Sequence, residues 1–305
     1  MIIRNYQPGD FEKYGRLYSD DQEFQAEASC VSPQSLSEVL FSPRCNPNKD
    51  VLIVLKDEEI IGLGYLIPEP EIDRVILRGI IHPRYRRKGV GQKLLKLALE
   101  RTAQLGVSSI QSDVDEKNQS ARGFLVANNF KKVRVFHEMR LIISEQKFEY
   151  PFGEKRKIES LKKGQEGILT EVQNLCFNGS WGYHPNNEDE VIYCLSLEKC
   201  SYVDVLIIHE RENPVGFCWL TIDPELPTDR NEKTGRIHMM GVTPAYRQTG
   251  LGRSLLMAGL LHLLDKGINN VELTVDSANR AAFQLYRSVG FKVYSNTDWY
   301  ERRLK

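Results

Sequence analysis

The sequence predicts an α/β (α+β) protein made of two domains in tandem, and three observations carry that prediction. The chain has 305 residues, more than one compact domain usually holds. Apolar runs of strand length alternate with amphipathic helical patterns along it. The order of those elements then starts again after about residue 150.

In the first half, residues 2–6 read as a strand. Pro8-Gly9-Asp10 is a turn that opens a helix to about residue 18. Residues 29–50 hold Pro33, Pro43 and Pro47 and read as irregular, apart from a short helix near 35–41. Residues 51–55 and 60–67 are strands joined by Lys56-Asp57-Glu58-Glu59, and 75–81 is the next strand. A basic turn, Arg86-Arg87-Lys88-Gly89-Val90-Gly91, opens a helix whose Val90, Leu94, Leu95, Ala98, Leu99 and Ala103 share one face. Gly106 reads as its C-cap. A strand at 110–114, a helix at 120–127 and a closing strand or pair at 133–143 complete the half, and 144–153 reads as the boundary. The expected domains are therefore 1–145 and 153–305.

The second half repeats the order. A strand near 156–160, a helix near 166–174, the loop 177–187 and strands at 203–209 and 215–222 precede a polar excursion, 223–234. An apolar strand at 237–242 then runs into Arg247-Gln248-Thr249-Gly250-Leu251-Gly252 and a helix to 264. A strand at 271–275, a helix at 281–288 and final strands from Gly290-Phe291 end the chain. One constant offset of 161 (247 − 86) maps Arg86 onto Arg247, Gly89 onto Gly250 and Gly91 onto Gly252. The same offset maps Pro83 onto Pro244, Gly106 onto Gly267, Asn118 onto Asn279 and Phe130 onto Phe291. A shared register across five elements marks duplication of a whole domain rather than a short solenoid repeat.

A strand that ends in a glycine-bearing turn and opens a helix is an anion site in outline. Glycine lets backbone N–H groups approach a phosphate, and the helix start adds partial positive charge. Lysine plus arginine equal aspartate plus glutamate at 41 each, so a neutral chain argues against a dedicated nucleic-acid binder. Cys30, Cys45, Cys176, Cys194, Cys200 and Cys218 show no Cys-x-x-Cys or zinc spacing, so reduced thiols and no metal are expected. The N-terminus lacks a signal-peptide apolar region, and no run reaches the ~18 apolar residues of a span. A cytoplasmic protein without membrane partners is expected, and a monomer is preferred because two fused domains can mimic a dimer.

A strand, Arg-x-x-Gly-x-Gly, a helix, a strand, Asn and a final Gly-Phe resemble the GNAT acyltransferase superfamily over nearly the whole chain. The second half matches at Arg247, Gly250, Gly252, Asn279, Tyr286 and Gly290-Phe291. The resemblance implies, for each half, a mixed, mostly antiparallel splayed sheet flanked by helices, with acetyl-CoA entering between two central strands. It places Val242, Arg247, Gln248, Thr249, Gly250, Leu251, Gly252 and Arg253 at the CoA pyrophosphate and Asn279 at the pantetheine arm. In the first half the matching residues are Arg86, Arg87, Lys88, Gly89, Val90, Gly91 and Asn118. Asn279 is also a natural helix N-cap, and the two roles are compatible.

The implied activity is N-acetyl transfer to a small-molecule amine by direct attack in a ternary complex, with Tyr286 protonating the departing thiolate. The other reading of Tyr286 is a core tyrosine on a short helix. The rival for the whole chain is a non-catalytic acyl-CoA sensor or scaffold. The tandem layout and residues 177–185 are similar to mycothiol synthases and related tandem acetyltransferases. Those enzymes carry a glutamate base directly after a glycine at the start of the central strand. Here Gly235 is followed by Arg236, which cannot act as a base. His238, Asp223 and Glu225 are the candidate bases. Arg236 suits an acceptor carboxylate or phosphate, or a surface pair with Glu232. In the first half Leu125 stands at the Tyr286 position and Val75 and Leu77 at those of Arg236 and His238. That half is expected to have lost proton transfer, and either binds CoA or packs as scaffold. Its basic turn reads alternatively as a solvated face or an RNA contact.

Overall fold

The computed structural model describes residues 1–27, 31–143, 156–222 and 234–304. Cys30, Asp223, Glu225, Glu232 and the predicted boundary at 144–153 lie outside the described residues.

The elements in chain order are β1 (Ile2–Asn5), α1 (Asp10–Asp20), α2 (Gln22–Glu27), α3 (Pro33–Leu40), α4 (Pro47–Asp50), β2 (Val51–Lys56), β3 (Glu59–Glu69), β4 (Arg74–Ile81), α5 (Val90–Gln104), β5 (Ser109–Asp115), α6 (Gln119–Ala127) and β6 (Lys131–Ile142). They continue with β7 (Arg156–Ser160), α7 (Glu166–Phe177), α8 (Glu188–Ser196), β8 (Val205–Glu210), β9 (Asn213–Ile222), β10 (Thr234–Val242), α9 (Leu251–Asp265), β11 (Asn270–Asp276), α10 (Arg280–Val289) and β12 (Lys292–Arg303). Of these helices, α2 and α8 fall where the sequence assigns no element, and α4 falls in the stretch that reads as irregular. The start of α8 is nonetheless written in the chain, because Asn187 and Glu190 form a reciprocal capping box.

The chain forms two compact units, 1–133 with 299–305, and 134–298. The first unit has strand order β1-β2-β3-β4-β5, and the last residues of β12 lie beside β5, with the Leu304 N–H donating to the Ser108 carbonyl at 2.8 Å. The β1–β2, β2–β3 and β3–β4 pairs are antiparallel and β4–β5 is parallel. The second unit runs β7-β8-β9-β10-β11-β6, with only β10–β11 parallel. The expected division at 145–153 thus differs from the compact units. β6 closes the second unit's sheet against β11, and the chain's end closes the first. The cause is side-chain alternation. Met139, Leu141 and Ile143 pack into the core beneath α9, so their strand belongs to that sheet.

Each sheet is covered on both faces. In the first unit α5 packs through Leu94, Leu95 and Ala98 on Val75 and Leu77, while Tyr14, Phe24 and Leu36 cover Ile53 and Tyr65 opposite. In the second, α9 and α10 pack through Leu255, Leu260 and Tyr286 on Ile237, Leu273 and Met139. There α7 and α8 cover Phe217 and Trp219 on the other face. No helix among the described residues is long and apolar enough to cross a membrane.

Candidate active site

The site grows from one strand that loses a neighbour. β10 follows β9 to its end at Val242 but pairs with β11 only from Thr234↔Asn270 to Ile237↔Leu273. Past that point the parallel strands part, and the ladder groups of residues 239–242 facing β11 lack their strand partner. A bulge accompanies the parting. Against β9 the register steps from Ile237↔Leu220 to Met239↔Trp219, leaving His238 as the extra residue. Bulges bend a strand and re-aim its side chains, and His238 is the residue directly after the last β10–β11 pair.

The His238 ring meets Trp219 edge-on at 5.5 Å and keeps an exposed surface. Surrounding protein, and the nearby charges of Arg236 and Lys199, push its pKa down to about 4. Such an imidazole is neutral at physiological pH. The Trp219 Nε1–H is buried and has no hydrogen-bond partner among the described residues.

Below the opening, the turn is set by two left-handed residues, Gln248 (φ 63°) and Gly250 (φ 85°). Gly250 is the N-cap of α9 and offers no side-chain acceptor, so the Leu251 and Gly252 N–H groups at the helix start have no side-chain cap. The Arg247 side chain is committed to the fold. Its Nη2 donates to the Cys176 carbonyl at 2.8 Å and its Nε to the Val242 carbonyl at 3.2 Å. A Cβ on Gly252 would meet Leu285 at an ordinary 3.6 Å. The Arg253 Nη1 donates to Ser288 Oγ at 3.0 Å. Asn279 caps α10 by accepting from the Ala282 N–H at 3.2 Å. Tyr286 on α10 is 7 % exposed and packs edge-on to Phe291. Burial raises its pKa, helped by Cys218, so the hydroxyl stays protonated at any working pH.

Polar residues line the face of β10, β11 and β6 opposite α9. Arg236 donates to Thr274 and reaches Glu138 Oε2 at 3.3 Å, with Glu272 at 3.8 Å. Thr274 Oγ1 also donates to Glu138 Oε2 at 2.8 Å. The loop after α7 borders this face. There Trp181 packs on Phe136 at 5.9 Å and under the Arg134 guanidinium at 5.6 Å, while Arg134 pairs with Asp276 at 2.8 Å. Sequence reasoning missed Glu138, Arg134 and Phe136 because they lie in the half it assigned to the first domain. The signal available was the alternation of Glu138 and Arg140 with Met139 and Leu141.

The first unit keeps some of this and not the rest. Arg87 (φ 60°) and Gly89 (φ 76°) repeat the two left-handed residues at the same offset, and Arg86 Nε donates to the Ile81 carbonyl at 2.8 Å as Arg247 does to Val242. Lys88 folds back, donating to the Arg84 carbonyl at 3.0 Å and lying over the Tyr85 ring. Gly91 and Val90 begin α5, and Asn118 caps α6 through the Ala121 N–H at 3.0 Å. β4 and β5 also part, after Ile76↔Gln111. The β3–β4 register, however, runs unbroken from Gly62↔Ile81 to Glu69↔Arg74, without a bulge. Leu125 is a buried core residue.

Two parallel neighbours that splay beside a bulge, above a left-handed turn that opens a helix, define an acyl-CoA-type transferase fold. The comparisons agree with that class. The acetyltransferase (GNAT) family matches residues 15–130 and 168–291, and the chain belongs to this family and is an N-acetyltransferase. It is 29 % identical over 271 residues to a mycothiol acetyltransferase of Thermomonospora curvata, covering 87 % of this chain and 86 % of that one. It is 28 % identical over 303 residues to one of Thermobispora bispora, covering 97 % of each. Among solved structures, a GCN5-related N-acetyltransferase from Sphaerobacter thermophilus superposes with a TM-score of 0.73 at 20 % identity, over 99 % of this chain and 95 % of that one. A tandem GNAT protein from the clavulanic acid biosynthesis pathway gives 0.73 at 15 %, over 99 % and 98 %. These last two likenesses bear on the fold.

Proposed function

We propose that the second unit transfers acetyl from acetyl-CoA to the amine of a small molecule, by direct attack while both substrates are bound. The observation that supports it most is the opening between β10 and β11, with bulged His238 directly after their last pair and the α9 turn below. Backbone N–H groups of residues 248–252 hold the pyrophosphate, with Val242, Arg247 and Arg253 shaping the turn around them. Asn279 spends its carbonyl oxygen on the α10 cap, and its amide N–H groups serve the pantetheine arm. The freed backbone groups of residues 239–242 align that arm as a strand would.

The thioester supplies the acetyl group, and its carbonyl carbon bonds to the amine nitrogen as the C–S bond breaks. A nitrogen forming that bond becomes acidic. Neutral His238 takes its proton, directly or through water. Tyr286, held protonated by burial, gives a proton to the departing sulfur. Arg236 acts on the acceptor side. Its guanidinium fixes Glu138, so the pair forms the polar wall against which the acceptor rests.

The test is thiol release from acetyl-CoA with a panel of amines, followed by mass spectrometry of products formed from labelled acetyl-CoA in a metabolite extract. An acetylated small molecule is expected, with turnover falling for Tyr286→Phe and CoA affinity kept. CoA binding without acetyl transfer to any amine would sink this reading.

A further inference from the structure

The two units open their sheets at the same place, but the first has something across the opening. Arg78 of β4 and Asp113 of β5 lie just past the last pair those strands make, Ile76↔Gln111. Their side chains meet in a bidentate ion pair, Nε to Oδ1 and Nη2 to Oδ2, both at 2.9 Å. Fork-to-fork pairing of this kind is the strongest and most directional form of the contact. The buried Tyr65 of neighbouring β3 adds a further hydrogen bond to Arg78.

The surroundings make this a firm closure. The Arg78 and Asp113 side chains are 33 % and 17 % exposed, so both charges are largely withdrawn from water. Burial lowers the Arg78 pKa, but Asp113, with Tyr65, more than offsets it, and the net shift is upward. The same offset of 161 takes Arg78 to Met239 and Asp113 to Thr274. Met239 turns toward α7, its sulfur accepting from Gln173 Nε2 at 3.4 Å, and Thr274 donates sideways to Glu138. In the second unit those two positions therefore do not hold each other.

We propose that the Arg78–Asp113 pair closes the first unit to acyl-CoA, so that the chain loads a single acyl-CoA, in the second unit. This rests on the reading of the second unit given under Proposed function. A pantetheine arm lying between β4 and β5 would have to displace both hydrogen bonds. It would leave a guanidinium and a carboxylate partly desolvated without partners, an arrangement that is heavily disfavoured. The arm itself is neutral and cannot replace either charge. The first unit's turn keeps its backbone shape, but a turn alone holds only the phosphate end of the ligand.

Calorimetry of the full chain with CoA should give one binding event per chain, and Gly250→Val should abolish it. Hydrogen exchange on adding CoA should protect residues 239–252 and leave 78–91 unchanged. The double variant R78M/D113T carries the second unit's residues at the matching positions, and Asp113→Asn removes the charge without changing shape. Either variant, folded as judged by its melting curve, should bind a second CoA, and that event should vanish when Gly89→Val is added. Two events in the unaltered chain, or protection at 78–91, would overturn the proposal. So would a single event in both folded variants. A chain that binds no CoA at all would instead overturn the acetyl-transfer reading, so the two failures are separable.

Discussion

The two repeats share a turn and differ in what surrounds it. Arg86 and Arg247 brace their turns through the same Nε bond to the strand, and the paired left-handed residues match, Arg87 with Gln248 and Gly89 with Gly250. Above the turn, the second repeat has a bulge, a histidine and a buried tyrosine. The first has an unbroken register, an ion pair and a leucine. Duplication therefore preserved the backbone device that folds a strand into a helix. The chemistry, carried by side chains and by one extra residue in a strand, was free to diverge. The turn is present in both copies, so its presence alone says little about catalysis.

The sharpest test of that contrast is Tyr286→Phe. It should lower kcat by roughly 10²–10⁴-fold, the usual worth of a positioned acid, while CoA affinity holds. Leu125→Met at the matching position should leave kcat as it was. Gly250→Val comes next. A β-branched residue at φ 85° is strained in any surroundings, and CoA affinity should fall at least about tenfold, consistent with a strain on the order of 1–3 kcal/mol.

A third comparison is of packing. The first repeat has Ile80 where the second has Gly241, and a Cβ there would lie 2.7 Å from the Cys176 Cβ. Gly241→Ala should cost about 1–3 kcal/mol, read as a lower melting temperature, because α7 sits directly on β10. Ile80→Val should cost about 0.5–1.5 kcal/mol, the usual loss for one methylene.

The pH response should be carried by His238, which the first repeat lacks. Its folded pKa is depressed to about 4 from 6.5. Between those values the unfolded chain binds the extra proton, so this group's contribution to stability rises with pH across the window from 4 to 6.5. A base of this pKa is active when neutral. At constant amine protonation, kcat should stay level above pH 5 and fall as pH drops through about 4, and His238→Gln should remove that limb. The smallest effect is expected for Arg236→Ala. Its KM for the acceptor should rise a few-fold through loss of Glu138 positioning, with CoA affinity unchanged. An unchanged KM would remove Arg236 from acceptor binding.

Much of this was legible in the chain because it is local. The turns, the cap at Asn279 and the apolar face of α5 at Val90, Leu94, Leu95 and Ala98 each need only neighbouring residues, although Ala103, expected on that face, is exposed and Thr102 is buried instead. The constant offset then exposed the duplication. What escaped was non-local. No spacing rule says that residue 138 stands opposite residue 274, or that Arg236 would find carboxylates on two other strands. The bulge at His238 was hidden because it is a relation between β9 and β10. The Arg78–Asp113 pair joins residues 35 apart that look like ordinary surface charges in sequence.

One feature of the topology reaches further. Residues 134–142 complete the second sheet, while residues 299–305 complete the first. The halves obtained by cutting the chain near 150 are thus not modules but mutual donors, each carrying a strand the other's sheet requires. Recombination that shuffles one half against a foreign partner would give a sheet lacking its closing strand.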